Sequence, residues 1–508
     1  MTAPTPESIS GHRGLAFEEP LIFEQGKDGR SGVDLPAAPA AGDRLGGLER
    51  ASRVGLPGLS EPQVVRHFTR LSQKNYGIDS GIYPLGSCTM KHNPRLGERL
   101  ARLPGLADIH PLQPVSTVQG ALGLIDRLAH WLKTVTGMPA VAMSPGAGAH
   151  GELCGIMAVW AALEDRGDPR RRVLVPESAH GTNPATAVAC GYEVESIPAD
   201  ARGRVDLNAF KVRLGDDVAA AMITNPNTCG LFENDMIEIA EAIHAAGGYL
   251  YCDGANLNAI MGRVRPGDLG IDCMHINLHK TFSTPHGGGG PGSGPTVLSE
   301  ALAAFAPLPF VVHGPDGLRL VEHRGKHGEG DKAFGRLKGF HGQMGMFVRA
   351  LAYMMSHGGD GLAQAAGDAV LNANYLLALV GDTLTASYPG PCMHEVLFDD
   401  RFLKGTGVST LDYAKALIDE GFHPMTMYFP LVVHGALLVE PTESETKGTL
   451  DRFAQVLVGL AKRAQAGEVQ YFHDAPRFAP RRRLDETRAA RKPVLRWRPE
   501  PQESAAAE

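Results

Sequence analysis

The stretch Tyr249-Leu-Tyr-Cys-Asp253, followed after a polar and glycine-containing interval by Cys273-Met-His-Ile-Asn-Leu-His-Lys280-Thr281, decides the fold. Each half is a short apolar run that ends in a chemically active side chain, a carboxylate at Asp253 and an amine at Lys280. Short apolar runs bounded by turn residues read as buried strands. Open α/β sheets place their ligands at the carboxyl ends of parallel strands, so both groups are aimed at one site.

An acid and an amine delivered in this way suit pyridoxal phosphate. The cofactor draws electrons from an amino acid only while its ring nitrogen stays protonated, which requires a carboxylate against that nitrogen. A lysine must hold its carbonyl carbon as a Schiff base and release it to an incoming amine. Asp253 and Lys280 take these two roles, and the Gly-rich run after Lys280 (Pro285-His-Gly-Gly-Gly-Gly-Pro-Gly292) is a loop at the same edge.

Outward from this core the chain alternates strand and helix. Arg172–Pro176 and Val218–Thr224 read as strands that end at His180-Gly-Thr182 and at Asn225. A helix capped by Asn234 or Asp235 buries Met236, Ile239, Ala240 and Ile243 and stops at Gly247-Gly248. Another runs from Val118 to Leu132 and stops near Gly137. Strand–helix–strand units with short connections imply a mainly parallel sheet with right-handed crossovers.

Ser144-Pro-Gly146-Ala147-Gly148-Ala-His-Gly151 leads straight into a helix. Small residues let backbone amides approach an anion there, and the helix dipole favours negative charge, so the cofactor phosphate is placed on Gly146, Ala147 and Gly148. A flat ring needs a cover on each face: His180 is the candidate for one and Ala255 for the other. Thr182 or Asn225 is the candidate hydrogen-bond partner of the phenolic oxygen. His279 joins Lys280 as a candidate for proton transfer. No His, Cys, Asp and Glu grouping has metal-ligand spacing, and no metal is expected.

The residues His275-Ile-Asn-Leu-His-Lys-Thr-Phe282 and Pro285–Gly292 resemble the signature of the P protein of the glycine cleavage system, a decarboxylating glycine dehydrogenase. Pro84-Leu-Gly-Ser-Cys-Thr-Met-Lys91 is similar to a second motif of that family, which places Ser87, Thr89 and Lys91 at the entrance of the active site. The resemblance implies a fold type I pyridoxal-phosphate enzyme, with a large domain built on a mainly parallel sheet between helices and a smaller C-terminal α/β domain. The length, Leu21-Ile-Phe-Glu24 and the wording of the 144–152 loop resemble subunit 2 of the two-subunit form. The implied substrate is glycine, the implied acceptor of its aminomethyl group is the lipoyl arm of the H protein, and the implied partner is subunit 1 in a heterotetramer of two dimers. The rival readings are another enzyme of the same fold, such as an aminotransferase or a desulfurase, and a non-catalytic assembly subunit.

At 508 residues the chain exceeds a single core. The expected division is 1–115 as arm and active-site loop, 116–340 as cofactor domain, 341–475 as small domain and 476–508 as basic tail. The Pro-, Gly- and Ala-rich arm is either disordered or laid across a partner. The segment from His313 to Gly342 is either a mobile loop near an anionic substrate or a solvated connector. Val297 to Phe305 reads as helix, as do Gln343–Met355 and Gly361–Leu379.

A net charge of −7 with 43% hydrophobic and 21% charged residues fits a soluble enzyme and argues against general nucleic-acid binding, which needs clustered positive charge. No apolar run approaches the roughly 20 residues that span a bilayer. Seven cysteines without CxxC spacing and no secretory pattern point to reduced thiols and a cytoplasmic location.

Overall fold

Seven strands dominated by Val, Ala, Ile, Leu and Met form the central sheet: β1 (Ala140–Ala142), β2 (Arg172–Pro176), β3 (Glu193–Ile197), β4 (Val218–Thr224), β5 (Tyr249–Gly254), β6 (Cys273–Ile276) and β7 (Thr296–Leu298). Their order is β1-β7-β6-β5-β4-β2-β3. The block from β3 to β6 is parallel, while β7 runs antiparallel to both β6 and β1. This computed structural model describes residues 19–37, 42, 44–52, 54–286, 292–325, 328–479 and 481–498. The run Gly287–Pro291, the first 18 residues of the arm and the last ten of the tail therefore lie outside the described residues.

Residues 77–472 form one unit. All seven residues of β4 are buried, as a strand covered on both faces must be. One face packs against the helices Gln119–Thr136, Met236–Ala245 and the first half of Met344–Val380, through Leu128, Leu132, Ile239, Ile243, Phe347 and Leu351. The other face carries Gly148–Asp165 through Ile156, Val159 and Leu163. Gln119–Thr136 ends at Gly137, whose φ of 69° is the left-handed cap a glycine adopts readily. Asp235 is the N-cap of Met236–Ala245, yet its side chain makes no capping hydrogen bond.

Two expectations need correction, and one strand went unread. Val297 and Leu298 belong to strand β7, and only Glu300–Ala303 of that segment is helical; a three-residue strand is too short to show a period of two. Phe310–Gly314 (β8) and Gly317–Val321 (β9) form a hairpin that overlaps the start of the stretch read as a mobile loop or a connector, with Gly317 at φ 118° closing the turn after Pro315-Asp316. The half-exposed edge strand β3 carries too little apolar pattern to stand out.

The C-terminal half of this unit holds a four-stranded antiparallel sheet, β10 (Thr385–Ala386), β11 (Val396–Asp399), β12 (Thr426–Met427) and β13 (Leu437–Val439), in the order β10-β11-β13-β12. The long helical pattern is interrupted at Gly358, whose φ of 64° and ψ of 180° break Met344–Val380 into two helices. Thr410–Asp419 starts on a capping box of Ser409 and Asp412, and Lys447–Gln465 on Thr446.

A second unit joins the two ends of the chain, residues 1–76 and 473–508. Its helix Glu61–Gln73 starts at Ser60, with Pro62 in the first turn. Glu19 is buried there and receives Arg70 through both carboxylate oxygens and His67 at 2.9 Å. Phe23 stacks on Trp497 with centroids 4.9 Å apart.

Candidate active site

Parallel pairing sets Thr224, Asp253 and His275 side by side on β4, β5 and β6. Asp253 is almost fully buried. Its Oδ1 accepts from the backbone N–H of Ala255 at 2.9 Å, its Oδ2 from Asn183 Nδ2 at 3.3 Å, and His275 Nε2 lies 3.5 Å from Oδ1. Tyr251 holds the other ring nitrogen of His275 at 2.5 Å. A carboxylate fixed by three neighbours keeps one orientation without being neutralised by Lys or Arg, which is what a partner for a protonated ring nitrogen needs.

Lys280 sits on the helical turn Leu278–Thr281 that follows β6, and its Nζ donates to the carbonyl of Ser87 at 2.6 Å. Asp253 and Lys280 act on common neighbours. Burial first and then the charge of Asp253 push the Glu152 carboxyl up to about 7, with Lys280 opposing. Burial pushes the His275 ring down, with Asp253 and Lys280 pulling in opposite directions. The acid and the amine thus stand at the ends of the neighbouring parallel strands β5 and β6.

The phosphate-loop candidates lie where the helix Gly148–Asp165 begins, without any side-chain cap to occupy its free amides. A Cβ at 148 would stand 2.5 Å from Asn277 Oδ1, so any larger residue there displaces the Asn277 side chain. Gly146 lies beside His150 Nδ1, which accepts from its N–H at 3.1 Å, and a Cβ on it would stand 2.9 Å from Lys338 Nζ. Lys338 is a cation at the cradle that the sequence did not single out, because it comes from a remote loop.

Thr182 and Asn225 differ. Thr182 Oγ1 donates to Glu152 at 2.8 Å and lies 3.1 Å from His180 Nδ1, so its hydroxyl is occupied. Asn225 accepts the N–H of Glu233 at 3.0 Å and leaves Nδ2 as a buried donor without a partner. His180 is exposed on the loop after β2, with its ring edge-on to Phe429. Ala255 is half-buried immediately past Asp253.

His279 has an unpartnered Nδ1. Burial, then His286 and Lys280, push its ring down to about 3, so it is neutral at pH 7. In the Ser87–Lys91 segment, Ser87 and Thr89 adopt φ of 64° and 40°, and their N–H groups donate to Glu395 and Glu440. Lys91 is buried and reaches Glu443 at 2.6 Å and the carbonyl of Thr281 at 2.9 Å.

The orphaned polar atoms Asn225 Nδ2, Asn277 Oδ1, His279 Nδ1 and Thr281 Oγ1 all lie at or just past strand ends. Buried polar atoms rarely stay unpaired. A ring bearing a phenolic oxygen and a phosphate meets such a set, with a carboxylate, a lysine and a glycine-lined helix start already in place, so the residues fit pyridoxal phosphate.

These features define a fold type I pyridoxal-phosphate enzyme. Residues 150–289 match the family described as aminotransferase class-V, and residues 365–477 match the C-terminal domain of glycine dehydrogenase. A probable glycine dehydrogenase (decarboxylating) subunit 2 of Caulobacter vibrioides is 66% identical over 97% of this chain and 94% of its own length. Its counterpart in Exiguobacterium sibiricum is 50% identical over 95% and 98%. A crystal structure of an inhibitor-bound glycine decarboxylase (P-protein) of the glycine cleavage system shares the fold, with a TM-score of 0.69 at 23% identity over 82% of this chain and 93% of that one. The chain belongs to the family of subunit 2 of decarboxylating glycine dehydrogenase.

Proposed function

We propose that this chain is the cofactor-bearing subunit of a glycine cleavage P protein, which decarboxylates glycine and passes the aminomethyl group to the lipoyl arm of an H protein. The observation that supports the reading is the placement of Asp253 and Lys280 at the carboxyl ends of the adjacent parallel strands β5 and β6, in a chain of this family. When bound, pyridoxal phosphate supplies an electron sink for the bond broken at the substrate carbon. Lys280 holds its carbonyl carbon through Nζ, and Asp253 keeps the ring nitrogen protonated, held in aim by Asn183 and His275. Gly146, Ala147 and Gly148 receive the phosphate, with Lys338 beside them. Asn225 Nδ2 donates to the phenolic oxygen. His180 covers one face of the ring and Ala255 the other.

Ser87 and Thr89 belong to the entrance, and Lys91 anchors their segment. His279, its ring held down to about 3, is a weak base at pH 7, and its neutral ring serves at Nδ1 as a hydrogen-bonding group rather than a proton acceptor. The division into an arm and entrance segment (1–115), a cofactor domain (116–340), a small domain (341–475) and a basic tail (476–508) is part of the proposal and cuts across the compact units 77–472 and 1–76 with 473–508. A subunit 1 completing a heterotetramer, a lipoylated H protein and a cytoplasmic location complete the proposal. Among the described residues no helix is long and apolar enough to cross a membrane.

A desulfurase would need a reactive thiolate at the site. Cys88 stands nearest in sequence to the Lys280 contact, but burial pushes its thiol up, with Lys280 only partly opposing. The deciding experiment is exchange of the glycine carboxyl with labelled bicarbonate, run with subunit 1 and lipoyl H protein. Exchange that depends on this chain is expected; its absence in the complete mixture overturns the assignment.

A further inference from the structure

Strands β11 and β13 pair Val396 with Val439, so the next cross-strand pair at that end of the sheet is Glu395 and Glu440. Side chains directly opposite on antiparallel strands share a face at about 5 Å between Cβ atoms. Both residues are fully buried, and carboxylate oxygens of the two lie within 4.8 Å of each other. Each is held by one N–H of the same strained segment: Glu395 Oε2 accepts from Ser87 at 2.7 Å and Glu440 Oε2 from Thr89 at 3.0 Å. Asn258 adds a donor to Glu440 Oε1 at 3.2 Å, whereas Glu395 Oε1 has no partner.

Two desolvated carboxylates this close cannot both be ionised without a compensating cation. Burial pushes both carboxyls up, and the charge of Glu440 adds to the rise at Glu395. The surroundings offer little relief. His394, fully buried, makes no hydrogen bond at either ring nitrogen and stands 3.8 Å from Glu440 Oε1 through Nε2, but burial drives it down to about 3 and it stays neutral. Glu443 is already paired with Lys91. Burial keeps the thiols Cys88, Cys229 and Cys392 protonated. The cation that opposes the rise at both glutamates is Lys280, whose Nζ is bonded to the carbonyl of the residue whose N–H holds Glu395.

We propose that Glu395 and Glu440 form an acid pair that holds a single proton, and that this pair fixes the strained Ser87–Thr89 segment whose Ser87 carbonyl receives the Lys280 Nζ. The two glutamates are positioning residues that act on Lys280 through that segment. The inference deepens the reading of Lys280 as the cofactor lysine and rests on it.

The test uses the full-length chain free of cofactor. The infrared difference spectrum of parent minus E395Q/E440Q at pH 7 should show the carbonyl stretch of a protonated carboxyl, which separates this pair from the raised carboxyls of Glu152 and Glu233 present in both chains. The glutamines keep acceptors for Ser87 and Thr89, and E395Q and E440Q alone, checked by circular dichroism, guard against misfolding. Absence of that band from the difference spectrum overturns the proposal. So does a stoichiometric divalent cation found with both carboxylates ionised. The visible band that appears when pyridoxal phosphate is added tests the reading of Lys280 separately: its failure leaves the infrared result standing.

Discussion

At the level of single residues the site is built from two kinds of side chain. Asp253 and Lys280 end apolar runs that are adjacent strands, so their placement at neighbouring strand ends follows from topology and was legible in the sequence. Asn183, His275, Glu152, Lys338 and the pair Glu395 and Glu440 were not, because each reaches the site from a helix face, strand interior or remote loop where its residue type is unremarkable. The chemistry nevertheless depends on both kinds. Lys280→Ala should abolish the visible band of bound pyridoxal phosphate and reduce carboxyl exchange to background. Asp253→Asn, which keeps the shape but removes the charge, should still form the band while exchange falls by at least about a hundredfold, the scale of losing one strong electrostatic contact, about 3 kcal/mol. Spectral titration and exchange measured on the same samples separate the two effects. Normal exchange by Asp253→Asn would remove Asp253 from its role.

Elements were readable wherever a period had room to repeat. The helices Gln119–Thr136 and Met236–Ala245 and the strands β2, β4, β5 and β6 each show several matching positions. The three-residue β7, the edge strand β3 and the β8–β9 hairpin lack that length or contrast; β7 is placed by pairing with β1, distant in sequence, whereas the hairpin pairs locally across its turn. Glycine use shows the same division between local and tertiary causes. Gly151 lies on the helix Gly148–Asp165 where it crosses β6, and a Cβ there would stand 2.6 Å from that of His275 and 2.7 Å from the carbonyl of Gly294. Gly459, exposed within Lys447–Gln465, has open space around it. Gly151→Ala should therefore cost about 1–3 kcal/mol through overpacking and weaken cofactor binding by lifting the phosphate-binding turn. Gly459→Ala should stabilise by about 0.5–1 kcal/mol through helix propensity. Urea denaturation and cofactor titration of both variants give the comparison, and equal effects from the two would refute the packing argument.

For the molecule as a whole, the unit formed by the chain ends has its own electrostatic anchor. Hydrogen bonding from Arg70 is the largest influence on Glu19. Burial opposes it and His67 adds to it, and the carboxyl is held at about 2 against an ordinary value of 4.5. A lowered folded value means stability that is present above pH 4.5 and lost as pH falls toward 2. The full shift corresponds to roughly 3 kcal/mol, but the Arg70 side chain is more than a third exposed, and solvent screening reduces the expected contribution to about 1–2 kcal/mol. Trp497, stacked on Phe23, reports on this unit, and replacing Trp131 and Trp160 with Phe makes it the sole tryptophan signal. In that background the Trp497 melting midpoint should fall between pH 5 and pH 3. Glu19→Gln should already be lowered at pH 7 and should flatten the pH dependence. Pyridoxal phosphate at about a hundred times its dissociation constant stabilises whatever binds it by about 2.7 kcal/mol. That gain should appear in the circular-dichroism transition of residues 77–472, in the parent and Glu19→Gln alike. An acid response of Trp497 identical in both chains would show that the Glu19 carboxylate does not anchor the joined ends.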